Sequence, residues 1–148
     1  MKINVIHNDI NLAIIIKNSY SEEGVSFFTS DELSQQLAYM KHSSGKKIIP
    51  HVHNTVVRNI HTTQEVLILK KGKLRIDFYT NDKKYIESHI IEAGDVILLI
   101  EGGHGFHVLE DIEMIEVKQG PYVGNEDKTR FEAVSDSHIN VVEDYSFE

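Results

Sequence analysis

The sequence predicts an all-β protein, a sandwich or a barrel, and three observations carry that prediction. From residue 35 onward, short apolar or alternating runs recur between turn residues roughly every eight to twelve positions. Inside those runs the apolar residues repeat with period two, the spacing of one strand face. Helix signals are thin by comparison, confined to "SDELSQQLAYM", where Ser30 offers an N-cap ahead of acidic residues. That stretch predicts a turn or two of helix before the barrel.

The strands follow in order. "QLAYMKH" leads into the turn "SSGKK" and then into "IIPHVHN", read as a strand. "EVLILK" and "KLRIDFY" read as a hairpin joined through Lys71-Gly72. The turn Thr80-Asn81-Asp82-Lys83 opens the strand "KYIESHII", and Ala93-Gly94-Asp95 opens the apolar strand that follows. "HGFHVLED" and "IEMIEVKQG" complete the series.

Alternation assigns faces. Leu74, Ile76 and Phe78 share one side of their strand, and Arg75, Asp77 and Tyr79 share the other. In "EVLILK", Glu65, Leu67 and Leu69 oppose Val66 and Ile68, so both faces are apolar. A strand buried on both sides needs a second layer, from N-terminal strands or a partner subunit. The tail beyond Pro121 is polar and acidic, and is expected to wrap the surface or dock on a neighbour. There is no internal repeat and no linker.

The length of 148 residues suits one domain. A formal charge of −8 repels phosphate backbones, and no basic run offsets it, so nucleic-acid binding is not expected. No apolar run approaches bilayer length, and the N-terminus lacks the apolar core of a signal peptide. The expectation is a soluble, cytoplasmic protein with no membrane partner. The absence of cysteine removes disulfides, thiolate metal sites and Cys nucleophiles. No phosphate-binding glycine loop, G-x-S-x-G elbow or H-E-x-x-H is present.

Nine histidines remain, and any transition-metal site must use imidazole and carboxylate. His7, His42 and His138 lie in polar, loop-like settings and read as surface residues. His51 and His53 are one residue apart, so in a strand their rings look the same way. They are either a surface pair or half of a metal site.

The spacing around that pair resembles the first motif of the cupin family, G-x5-H-x-H followed by E-x6-G. The matching positions are Gly45, His51, His53, Glu65 and Gly72. The spacer "NTVVRNIHTTQ" is longer than the family's usual one, which is cheap because loop-closure entropy grows slowly with length. "AGDVILLIEGGHGFHVLED" is similar to the second motif. Gly94-Asp95 opens its strand, Gly102-Gly103 makes its turn, and Ile100 stands where the family has proline. His104 falls one residue short of the family position, and His107 competes with it. Alternation places His104 with Phe106 and Val108 and puts His107 on the other face, which favours His104. "MIEVKQGPYVGNEDKTRF" resembles the end of WbuC-type cupins, associated with bacterial surface-polysaccharide assembly.

The resemblance implies an RmlC-like double-stranded β-helix, the cupin jelly-roll barrel, with its core at about 35–120 and short N- and C-terminal extensions in one domain of 1–148. It implies a homodimer. It also implies a divalent transition metal (Fe, Mn, Ni, Co or Zn) held by His51, His53, Glu65 and His104, with Glu65 and His104 catalytic. The implied substrate is a small sugar or sugar nucleotide, isomerised or epimerised beside a carbonyl. A non-haem Fe(II) dioxygenase and a non-catalytic binding module stay open as alternatives. His61 reads as a loop residue, and Tyr39, Arg58 and Tyr79 either face a pocket or pack. Lys118 reads as a solvated lysine or an anion contact, and Tyr122 as packing the chain end.

Overall fold

A computed structural model describes residues 1–143. Its organising feature is a ribbon of two long antiparallel strands, β5 (Glu65–Tyr79) and β8 (Gly103–Lys118). Six shorter strands complete the fold: β1 (Lys2–His7), β2 (Ile10–Ile16), β3 (Gly24–Phe27), β4 (Ala38–Lys41), β6 (Tyr85–Glu92) and β7 (Val96–Leu99). The main antiparallel sheet runs β1-β2-β7-β5-β6, with β8 also paired to β5, and β3 and β4 form a separate hairpin. The all-β expectation holds, and the sheet curls into a half-barrel.

The curl follows from the register. Glu65 pairs Leu99, while Tyr79 at the far end of β5 pairs Gly103. Leu99 and Gly103 are four residues apart in sequence, a span of at most about 15 Å. A straight strand from residue 65 to 79 would cover about 46 Å. The strand therefore bends back on itself. Register shifts cluster at Leu69/Lys71, Lys71/Lys73 and Lys73/Leu74, which puts the corner there.

Gly72 makes the corner possible. Its φ is +82°, and a Cβ built on it would lie 2.0 Å from the Asp111 carbonyl oxygen. This corrects the hairpin expected through Lys71-Gly72. The chain does not reverse there, because β8 follows β5 around the bend and pairs with both halves. For the same reason "HGFHVLED" and "IEMIEVKQG" are one strand rather than two.

The face assignments hold. Leu74, Ile76 and Phe78 join Leu67 and Leu69 in one buried cluster with Val5, Leu12 and Ile15. Val66, Leu98, Ile14 and Ile16 form a second cluster, covered by Tyr20, Phe28, Leu33 and Leu37. The second layer demanded by "EVLILK" is thus supplied by residues 20–37. Each fully buried Leu or Ile contributes about 1.5–3 kcal/mol by leaving water.

Four further expectations are corrected. Residues 30–37 make turns instead of helix, and Gln36 Nε2 donates to the Ser30 and Leu33 carbonyls within them. Residues 1–16 are no peripheral extension: β1 and β2 are part of the main sheet and fill its core. The strand expected across "IIPHVHN" does not form, and every residue of 42–63 is exposed and outside any strand. Period-two patterning gives a strand its faces, but only a neighbouring strand gives it hydrogen bonds. Tyr122 is 87% exposed and does not pack the chain end among the described residues.

The tail wraps the surface as expected, as far as the described residues reach; 144–148 lie outside them. Ser88 N–H donates to the Asn140 carbonyl, Val142 N–H to the Ser88 carbonyl, and Val134 N–H to the Tyr79 hydroxyl. Among the described residues, no helix is long and apolar enough to cross a membrane.

Candidate functional site

The bend in β5 builds the site. It returns Tyr79 and the start of β8 to the neighbourhood of Glu65, the first residue of β5. His104, the second residue of β8, then places its Nε2 3.3 Å from Glu65 Oε2. The Glu65 side chain is 10% exposed and that of His104 30%. Phe106 flanks the imidazole with ring centroids 5.4 Å apart.

Glu65 is held as a carboxylate. The hydrogen bond from His104 draws its pKa below the usual carboxylate range, against burial, which pushes it up. The charges of Lys118 and Lys128 add to the lowering. Lys118 itself is mostly covered and sits 3.8 Å from Asp127.

The pair faces a cavity of about 470 Å³. One wall is Tyr79 and the glycines Gly102 and Gly103 at the entry to β8. Other lining residues come from the tail, among them Asp127, Lys128, Arg130 and Phe131. Phe131 packs edge-on against Tyr79 at 5.0 Å. Gly103 permits this approach, since a Cβ there would meet the Phe131 ring at 2.9 Å. The tail is also pinned by Thr63, whose hydroxyl donates to Asp127.

The four residues expected to hold a metal are not brought together in one copy. Glu65 and His104 meet, while His107 is exposed on β8. His51 and His53 are exposed and touch each other, rings 5.1 Å apart at 79°. His51 Nδ1 lies 3.3 Å from the Ile49 carbonyl, close to the pair's own backbone. Among the described residues, no three His, Asp or Glu side chains are grouped as a metal shell. His61 and Arg58 are exposed in the same segment, while Tyr39 packs on Tyr20 at 5.1 Å.

Periodicity missed the tail wall. Lys128, Arg130 and Phe131 lie in "DKTRF", an irregular stretch whose only signal was the motif-like "EDK" inside the resemblance at the end of the barrel. Chemically the site pairs an ionised carboxylate with an imidazole, at the edge of an aromatic wall and two cations. Such a set has the chemistry to hold a small anionic or polyhydroxy compound and to move a proton.

No family model, curated protein or solved structure matches this chain.

Proposed function

We propose that the chain is a cupin-type jelly roll that binds a small carbonyl compound, sugar-derived and anionic, in the Glu65–His104 cavity and shifts a proton beside the carbonyl. The observation that carries the reading is the 3.3 Å approach of His104 Nε2 to a buried, ionised Glu65 at the wall of that cavity. The curled antiparallel sheet is compatible with the jelly roll.

In this reading His104 takes the proton from the carbon next to the carbonyl. Glu65 fixes the ring and stabilises the imidazolium that forms. The carbonyl oxygen gains the negative charge and faces Lys128 or Arg130. His104 then returns the proton to the former carbonyl carbon, while the hydroxyl proton on the adjacent carbon passes to the negative oxygen and the C=O forms there, which completes an isomerisation. Within one copy the expected metal set does not fit a metal, because only two of its four members meet, and no step is derived through one.

The test is deuterium exchange. Phosphorylated keto sugars and nucleotide sugars are incubated with the protein in deuterated water, and the C–H beside the carbonyl is followed by NMR. Exchange with one of them is expected, slowed about 10²–10⁴-fold in His104→Ala. Binding without exchange would leave a module that only holds its ligand. No binding across the panel would overturn the reading.

A further inference from the structure

The segment from 42 to 64 is the anomaly of the fold. It is 23 residues long, and between 42 and 63 every residue is exposed. It is far from a polar loop: Ile49, Val52 and Val57 are 83%, 85% and 90% exposed, with Ile48 and Val56 also bare. Apolar residues left in water this way mark a surface built to be covered.

A complementary defect lies on β8. It pairs with β5 along one edge, and among the described residues its other edge pairs with nothing. Apolar side chains on both of its faces are left exposed, Phe106 at 42%, Val108 at 53%, Ile115 at 48% and Val117 at 46%. Half-exposure on both faces is what a strand shows when it lacks a lateral neighbour. A long open edge of this kind is a template for strand addition.

Charge matches the two surfaces. Residues 42–64 carry Lys46, Lys47 and Arg58 and no acidic residue, in a chain of net charge −8. The sequence of β8 carries Glu110, Asp111, Glu113 and Glu116 against Lys118 alone. The β8 edge of the arm's own chain is open, and the arm does not lie on it.

We propose that residues 46–57 of one copy add as a strand to the outer edge of β8 in a second copy, reciprocally, in a two-fold dimer. Laid antiparallel to β8 from its start, the arm places His51 and His53 beside the partner's His104 and Lys46 level with the partner's Glu110, within cross-strand reach. Each site then has two imidazoles from one copy and Glu65 with His104 from the other. That N and O donor set suits a divalent transition metal, which neither copy assembles alone. The inference rests on the Glu65–His104 cavity being the functional site, but the exchange of arms is tested without it.

The absence of native cysteine makes the test clean. Val52→Cys is placed in one tagged copy and His107→Cys in a differently tagged one, since neither residue belongs to the site. The copies are mixed and treated with a short bismaleimide, with and without His104→Ala in the His107→Cys copy. Expected is a cross-link between the two tags in both backgrounds, and a dimer mass by light scattering. In a copy that carries both cysteines, a link at monomer mass would show the arm closing on its own chain and overturn the proposal. A monomer, or a dimer without the mixed link, would overturn it too. The metal content of mixed dimers gives the second reading. A His51→Ala/His53→Ala copy paired with a Glu65→Gln/His104→Ala copy should carry one ion by native mass spectrometry after loading with Zn(II), where each variant alone carries none. A mixed link without that ion would keep the arm exchange and remove the metal site.

Discussion

Glu65 and His104 open two strands that run in opposite directions, and their side chains meet at 3.3 Å only because β5 bends back on itself. The contact makes the site report on the corner at Gly72, midway along the ribbon.

The Glu65 pair sets a pH dependence. Its folded pKa is lowered, first by the hydrogen bond from His104, so the carboxylate contributes stability that is fully present above its unfolded pKa of about 4.3. That contribution is lost as pH falls through the lower folded pKa. Thermal melts of wild type and Glu65→Gln should therefore differ at pH 6 and converge toward pH 3. A gap that widens on acidification would contradict the assignment.

Gly72→Ala should be among the costliest small changes in the protein. It combines a left-handed backbone position with a Cβ 2.0 Å from a backbone oxygen that cannot swing away. A loss of at least about 2 kcal/mol is expected in urea unfolding. Gly45→Ala is the control. It shares the positive φ but meets no atom within 4 Å, so it should cost about 1 kcal/mol.

Arg75 is bound to a buried partner. Its Nε and Nη2 lie 2.8 and 3.1 Å from the two oxygens of Asp77, which is 4% exposed and also accepts from Ser88. Arg75→Met strands that carboxylate and should cost about 3–5 kcal/mol in chemical denaturation. Arg75→Met with Asp77→Leu should recover much of the loss, since no buried charge is then left alone.

Phe131→Ala removes one side of the cavity and its edge contact with Tyr79. Stability should fall only modestly, by about 1 kcal/mol, because the residue is partly exposed already. Ligand affinity measured by NMR titration should fall more than the melting temperature suggests. Equal losses would mean that Phe131 is only a packing residue.

Much of the fold was legible where the governing interactions are local. The turns at residues 80–83 and 93–95 follow from their own residue types, and the buried face of Leu74, Ile76 and Phe78 follows from alternation. Glu65 and His104 were singled out through the family resemblance, with alternation only preferring His104 to His107. The Lys71-Gly72 corner was misread because a glycine at positive φ suits a reversal and a bend equally, and the Asp111 carbonyl that decides between them arrives from 39 residues away. "IIPHVHN" has the pattern of a strand without a partner in its own chain, and the pattern cannot reveal that. The tail wall is irregular, so its position depends on hydrogen bonds to Tyr79, Tyr85 and Ser88 that no periodicity encodes.

The order of strands in the sheet also bears on how the protein is made. β2, with its run of isoleucines, pairs with β1 on one edge and with β7 on the other, Ile16 opposite Val96, about 80 residues later in synthesis. At ribosomal speeds of about 5–20 residues per second, the nascent chain carries that apolar edge unpaired for roughly 4–16 s. Nothing translated in between pairs with that edge, since β5 and β6 pair elsewhere. The β1–β2 hairpin is thus the segment that a holding chaperone has most reason to meet.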